Sequence, residues 1–166
     1  MVAGGLATHK GRGSSMLNVV LHQPEIAEHT GAVGRTCVAV GAKLWLVRPL
    51  GFRIEERRVR RAGLDYWQHL QWEAVDDWSA LLARLGPEPR LWLFTKTASR
   101  PYTEARFQDG DVLVFGSESR GLPPNLLAGH AERLLRIPMR PEARSLNLSV
   151  SVAVGLYEAV RQTQGV

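Results

Sequence analysis

The chain has 166 residues, of which 45% are hydrophobic and 22% are charged. These proportions are ordinary for a globular protein, so they exclude a largely disordered chain, and the length suits one domain. No apolar run is long enough to span a membrane, so no membrane partner is expected. The formal net charge of +5 favours an anionic partner such as nucleic acid.

The N-terminal residues and the single cysteine place limits on the domain. Residues 1–15 contain glycine, serine and two basic groups without an apolar segment, which argues against both a signal peptide and a packed element. We expect a disordered N-terminal extension followed by one domain over residues 16–166. Cys37 lies in an apolar run, which predicts a core residue of a protein in a reducing compartment, the cytoplasm.

Strands alternate with helices along the chain. Short, nearly continuous apolar runs are typical of strands buried on both faces of a parallel sheet. Thr30 and Asp76 are predicted to cap helices, and Pro123 or Pro124 suits the first turn of another. The alternation predicts an α/β fold with a mainly parallel sheet and helices on both faces. The predicted strands are residues 17–21, 43–48, 71–75, 91–95, 112–115 and 134–137, and the predicted helices are residues 30–40, 55–62, 76–85 and a segment from 145 onwards.

A cluster of arginines accompanies the predicted helix at residues 55–62. Five arginines fall within nine residues, and Glu55 and Glu56 offset part of their charge. Two interpretations remain open: contact with an RNA backbone, or a solvated helix face. The five arginines are Arg53, Arg57, Arg58, Arg60 and Arg61.

A glycine-containing loop follows the strand at residues 112–115. In the sequence FGSESRG, Gly116 stands at the carboxyl end of the strand, where parallel sheets bind their ligands. A glycine there allows the backbone to approach a bound molecule, and Glu118 with Arg120 offers a charge pair. The loop lacks both the Lys-Ser/Thr of a P-loop and the three-glycine dinucleotide fingerprint.

The stretch from Arg136 to Tyr157 changes from strand to helix through a polar turn. Ser145, Asn147 and Ser149 carry hydroxyl and amide groups that suit a helix start and also the binding of a small ligand. The helix predicted from Ser145 is rich in small residues, which allow another backbone to come close. We therefore expect ligand chemistry and chain packing at the same place.

Three side chains near the first helix could carry chemistry. Arg35 is predicted one turn into that helix, where an arginine beside a helix N-terminus makes an anion site, although a surface arginine is the more common case. His22 and His29 could suggest metal or acid–base chemistry. No spaced set of further ligands accompanies them, so we interpret them as incidental loop histidines and expect no metal.

Four motifs in order resemble one family. The segments LHQPEIAEHTGAVGR, RRAGLDYW, FGSESRGLP and RIPMRPEARSLNLSVSVAVGLYEA resemble the SPOUT superfamily of S-adenosylmethionine-dependent RNA methyltransferases. Their order and spacing are most similar to the small tRNA (cytidine/uridine-2'-O)-methyltransferases that act at the wobble nucleotide. The resemblance implies a C-terminal trefoil knot that binds the methyl donor, a homodimer, and tRNA as the substrate. DNA is not expected, because the reaction requires a ribose 2'-hydroxyl.

The resemblance also implies roles for individual residues. The donor-binding positions would be Phe94, Gly116, Ile137, Ser145, Leu146 and Leu148. The catalytic positions would be Arg35, Glu118, Asn147, Ser149 and Tyr157. Separately from the resemblance, we expect the five clustered arginines and Arg120 to bind RNA.

The sequence departs from the family pattern at three places. His29 and Val150 each stand where asparagine is usual, and Thr97-Ala98 replaces a common Lys-Gly. Two alternatives therefore stay open. One is a knotted RNA-binding module without methyl transfer, and the other is the same reaction on ribosomal RNA.

Overall fold

The computed structural model describes residues 16–54 and 66–166. The N-terminal residues 1–15, the helix predicted at 55–62, and Arg57, Arg58, Arg60 and Arg61 lie outside the described residues.

A six-stranded parallel sheet forms the centre of the described structure. Its strands are β1 Asn18–His22, β2 Lys43–Val47, β3 Trp72–Val75, β4 Leu91–Phe94, β5 Val112–Phe115 and β6 Leu134–Leu135. They lie in the order β3-β2-β1-β5-β4-β6, and every neighbouring pair is parallel. All residues of β4 and β5 are buried, as their continuous apolar runs predict.

The strand order reverses direction between β1 and β5. From β1 the chain moves outwards to β2 and β3, and then crosses to the other side of the sheet. Phe115 of β5 is in register with both Leu21 of β1 and Phe94 of β4. The loops after these three strands therefore leave the same edge of the sheet, which is where parallel α/β sheets bind ligands.

Helices cover both faces of the sheet. Within residues 16–54 and 66–166, the α-helices are α1 Ala27–Val40, α2 Trp78–Leu85, α3 Pro124–Ala128 and α4 Leu148–Gln164. Helices α1 and α4 contact each other and share one apolar core with Val19 and Leu21 of β1. Leu81 of α2 and Leu126 of α3 form a second core with Val20. Alternate residues of β1 thus point to opposite cores, and the predicted α/β architecture is confirmed. The trefoil knot stays a prediction.

Three predicted helix starts differ from the structure. Helix α1 begins at Ala27 rather than after Thr30, whose side chain is fully buried within the helix. The cap of α2 is Asp77 rather than Asp76, because the Asp77 carboxylate accepts the Ala80 N–H at 2.7 Å. Helix α4 begins at Leu148, so Ser145 and Leu146 belong to the segment that precedes it. The prediction that Pro124 occupies a first helical turn is confirmed.

Cys37 is a core residue, as predicted. It is free and completely buried on the inner face of α1, and burial raises the pKa of its thiol to about 12. A thiol with such a pKa stays protonated and behaves as a small apolar group. Within the described ranges, no helix is long and apolar enough to cross a membrane.

Candidate active site

A cavity of about 600 Å³ lies at the carboxyl edge of the sheet. Its wall comes from the end of β4, from the loop after β5 and from the segment that leads into α4. The cavity therefore lies beside the reversal of strand order rather than at an arbitrary place on the surface. All six predicted donor-binding residues line it, although they come from three separate parts of the chain. They are Phe94, Gly116, Ile137, Ser145, Leu146 and Leu148.

A pair of stacked aromatic rings links the cavity to α4. The rings of Phe94 and Phe115 stack with centroids 4.5 Å apart and planes inclined by 18°. Gly155 of α4 packs directly on them, because a Cβ at this position would lie 2.7 Å from Phe94 Cζ. A larger residue at this position would therefore have to displace the Phe94 ring. The sequence signal was a glycine in the middle of a helix, which usually marks a close approach.

Gly116 has a packing role in addition to the one predicted. A Cβ on Gly116 would overlap the backbone of Gly121 and Leu122, so the close approach is made by the chain itself. The loop closes through the Gly121 N–H, which donates to the Ser117 carbonyl oxygen at 2.9 Å. Gly116 thus shapes the loop that carries Glu118, in addition to lining the cavity.

Glu118 binds the start of α1 rather than Arg120. Its carboxylate accepts the backbone N–H of Glu25 at 2.7 Å and that of Ile26 at 3.1 Å. An anion at this position is favourable, because the first N–H groups of a helix lack partners and its N-terminus is electropositive. In the opposite sense, the Glu25 carboxylate accepts hydrogen bonds from the N–H and the hydroxyl of Ser119, in the loop that carries Glu118.

His29 lies between Glu118 and Asn147. Its Nδ1 is 3.2 Å from the Glu118 carboxylate, and its Nε2 is 2.8 Å from the Asn147 side-chain nitrogen. The interpretation of His29 as an incidental loop residue is therefore wrong: it lies in α1 and faces the cavity. His22 is also not in a loop, because it is the buried last residue of β1 and contacts the ring of Trp78.

Asn147 caps α4 and binds Ser149. Its side-chain oxygen accepts the Ser149 N–H at 2.8 Å and the Ser149 hydroxyl at 2.6 Å. The polar turn predicted from the sequence thus starts the helix and also contributes Asn147 to the cavity wall. The Ser149 hydroxyl is held by Asn147 and does not line the cavity.

Arg35 and Tyr157 lie outside the cavity. Arg35 lies two turns into α1 rather than the predicted one, so the predicted anion site at the helix N-terminus does not include it. Its guanidinium lies over the ring of Tyr66, 4.8 Å from the centroid. Tyr157 is 51% exposed on α4, the helix that packs against α1. Both side chains are on the surface, where a second molecule can reach them.

The described arginines of the predicted RNA-binding set are Arg53 and Arg120. Both are exposed, and Arg120 also lines the cavity. Residues 16–54 and 66–166 contain no group of three or more His, Cys, Asp or Glu side chains that could hold a metal ion.

The sequence matches a known family over most of its length. The model of the SpoU rRNA methylase family matches residues 16–157. The chain belongs to this family. Membership of the SpoU rRNA methylase family confirms the resemblance inferred from the four sequence motifs.

Individual proteins are similar to this chain in sequence and in fold. A relative from Burkholderia pseudomallei (strain 1106a), named tRNA (cytidine(34)-2'-O)-methyltransferase, is 48% identical over 149 residues, covering 89% of this chain and 96% of the relative. A solved structure described as "Structural insights into the 2-OH methylation of C/U34 on tRNA" is 46% identical with a TM-score of 0.88, covering 93% of this chain and 100% of that one. An AdoMet-bound rRNA methyltransferase from Sinorhizobium meliloti is 25% identical with a TM-score of 0.80, covering 89% of this chain and 57% of that one.

Proposed function

We propose that the protein transfers a methyl group from S-adenosylmethionine to the ribose 2'-hydroxyl of the wobble nucleotide of tRNA, a cytidine or a uridine. The observation that carries this proposal is the 48% identity to a relative named for methylation of cytidine 34, over 96% of that relative. The solved structure described for methylation of C/U34 supports the same substrate.

The cavity fits the methyl donor in size and in chemistry. Its volume of about 600 Å³ lies within the usual range of about 300–1,000 Å³ for ligand sites. Phe94, Ile137 and Leu148 give it an apolar wall for an adenine ring, and Ser145 adds a hydroxyl for polar groups of the donor. We therefore assign these residues, with Gly116 and Leu146, to donor binding.

The chain must align the ribose oxygen and manage its proton. The bound donor supplies a methyl group that is already electrophilic, so no metal is needed to activate it. An arginine guanidinium stays protonated near neutral pH and is a poor base. Arg35 therefore orients the 2'-hydroxyl and a neighbouring phosphate and stabilises the negative charge that develops on the oxygen. Tyr157, Ser149, Asn147 and Glu118 complete the proposed catalytic set.

An exposed apolar face on α4 supports a homodimer. Val150 is 46% exposed and Tyr157 is 51% exposed, and their spacing of seven residues places them on one side of the helix. Val150 is not in the polar loop, because α4 has already begun at Leu148. We infer that a second copy of the chain covers this face. An apolar residue in place of the usual asparagine suits such a contact.

RNA binding is assigned to the arginines. In the proposed dimer, the donor site of one subunit faces RNA that is held partly by Arg53 and the four arginines at positions 57–61 of the other. Arg120 contacts the RNA at the mouth of the cavity. Binding through these residues should weaken as the salt concentration rises, with a slope set by the number of phosphates neutralised.

The proposal is tested by incubating the protein with bulk tRNA and S-adenosylmethionine labelled on the methyl group. Label in the tRNA is the expected result, and a module that only binds RNA transfers none. A parallel reaction with ribosomal RNA tests the alternative that ribosomal RNA is the substrate. The name of the SpoU rRNA methylase family and that of the Sinorhizobium meliloti enzyme both refer to this substrate. Label in ribosomal RNA alone would overturn the tRNA assignment.

A further inference from the structure

Hydrogen bonds link Glu118, His29, Asn147 and Ser149 in series, and only one assignment of donors and acceptors satisfies all of them. The side-chain oxygen of Asn147 must face Ser149, because the Ser149 N–H can only donate and lies 2.8 Å from it. The Asn147 nitrogen therefore faces His29, and an amide nitrogen donates but does not accept. His29 Nε2 must consequently accept and carry no proton.

The opposite side of the imidazole has the opposite requirement. His29 Nδ1 lies 3.2 Å from the Glu118 carboxylate, which accepts and does not donate when it is ionised. His29 Nδ1 must therefore carry the proton. The two contacts together specify one neutral tautomer, in which Glu118 orients His29 and His29 orients Asn147. This is the usual way in which a neighbour of a histidine selects its tautomer.

A second proton on His29 would break the chain. The new Nε2–H would point at the Asn147 amide donor only 2.8 Å away. Asn147 would have to turn its oxygen towards His29, and its nitrogen would then face the Ser149 N–H. The Ser149 N–H would then lose its acceptor and α4 its cap, and the Ser149 hydroxyl would have to accept from the amide instead of donating to it.

The charged groups around His29 come from three parts of the fold. Glu118 offers the ring an acceptor, whereas Asn147 offers it a donor. Glu25, in the loop before α1, turns its carboxylate towards Ser119. The remaining charged groups of the cavity wall are cations, which disfavour a further positive charge. They are Lys96, Arg120 and Arg144.

We propose that His29 is a positioning residue for methyl transfer: as a neutral imidazole it holds Asn147 in the orientation that caps α4 and shapes the cavity wall. This inference rests on the proposed methyltransferase function. It assigns a purpose to a histidine at a position where the family usually has asparagine. An asparagine can replace this histidine, because a side-chain amide also offers a donor and an acceptor. Unlike an imidazole, an amide does not lose its acceptor by protonation.

The test compares pH profiles of kcat, at saturating donor and tRNA, for the wild type and three variants. A doubly protonated His29 could no longer accept from Asn147, so wherever acid protonates the imidazole, wild-type kcat relative to His29→Asn should fall about tenfold, the value of roughly one hydrogen bond. His29→Asn should keep near wild-type kcat at pH 8. His29→Leu offers neither donor nor acceptor and should be slow throughout the profile.

His69→Asn is the matched control, because His69 is exposed and distant in sequence from the cavity residues. It should reproduce the wild-type profile, and circular dichroism at each pH checks that all variants are folded. Identical profiles for wild type and His29→Asn would overturn the proposal. So would full activity of His29→Leu at pH 8.

A spectroscopic readout separates this inference from the proposed function. Nitrogen-15 NMR of the imidazole should show His29 protonated on Nδ1 and unprotonated on Nε2 at pH 8. The reverse tautomer would overturn the positioning role even if the protein is an active methyltransferase. If the wild type transferred no methyl group at pH 8, the proposed function would be refuted. The positioning role of His29 in that reaction would then be refuted as well.

Discussion

Glu25 and Glu118 each bind the loop that carries the other. The Glu118 carboxylate accepts the Glu25 N–H at 2.7 Å, and the Glu25 carboxylate accepts the Ser119 hydroxyl at 2.6 Å. These loops follow β1 and β5, the two strands between which the sheet order reverses. The reciprocal contact fastens the start of α1 to the loop that lines the cavity.

The first prediction concerns the stability of this contact. Glu118→Ala removes the acceptor for two backbone N–H groups and for His29, so the free energy of unfolding should fall by about 2–3 kcal/mol. Urea denaturation measures the change. Glu142→Ala, at an exposed position, should change the free energy by less than about 0.5 kcal/mol. Equal stability of the two variants would show that the contact contributes nothing.

The second prediction concerns Gly155 beneath the aromatic stack. A methyl group in Gly155→Ala would clash with Phe94, whose ring is stacked on Phe115. Overpacking of this kind costs about 1–3 kcal/mol of unfolding free energy, and a displaced Phe94 should weaken donor binding. Thermal unfolding and calorimetric titration with S-adenosylmethionine measure the two effects.

Gly129→Ala is the control for this substitution. A Cβ at Gly129 would lie 3.6 Å from the Asn125 carbonyl oxygen, which is an ordinary contact. This variant should bind the donor normally. If Gly155→Ala also bound the donor with unchanged affinity, the link between α4 and the cavity would be wrong.

The architecture could be predicted from the sequence because it depends on local patterns. Continuous apolar runs identify buried parallel strands, and β4 and β5 show this pattern clearly. The polar turn before α4 was found by its composition, since Asn147 is a common type of helix cap.

The contacts between distant segments could not be predicted in this way. The sequence predicts a start of α1 after Thr30, which is later than the observed start at Ala27. No local side chain caps the helix. Instead, Glu118 accepts the Ile26 N–H from 92 residues away in the sequence. His29 was misinterpreted for the same reason, since its partners Glu118 and Asn147 come from other elements. Neither partner leaves a signal near residue 29.

The third prediction concerns the exposed face of α4. Val150→Asp places a charge in the proposed interface, where it would lose water without gaining a partner, so the dimer should dissociate at micromolar concentrations. Sedimentation velocity measures the mass. Val166→Asp, at a valine that is 66% exposed near the end of the chain, should remain dimeric. A wild-type protein that is monomeric and fully active in dilute solution would contradict the dimer.

The fourth prediction concerns the shape of the Arg35 side chain. Arg35→Lys keeps the charge but loses the planar fork that binds a hydroxyl and a phosphate together. At saturating tRNA, kcat should fall at least about tenfold, whereas the affinity for the donor should stay unchanged. Arg106→Lys is the control, because Arg106 is exposed and precedes β5 at the opposite edge of the sheet. Near-normal turnover of Arg35→Lys would refute the proposed orienting role.

The position of the methyl group in the product tests the central proposal most directly. After reaction with bulk tRNA, nuclease digestion and mass spectrometry identify the methylated nucleotide and the atom that carries the methyl group. We expect a 2'-O-methylated cytidine or uridine at position 34, as in the name of the Burkholderia pseudomallei relative. Methylation of a base, or of a ribose at another position, would contradict the assignment.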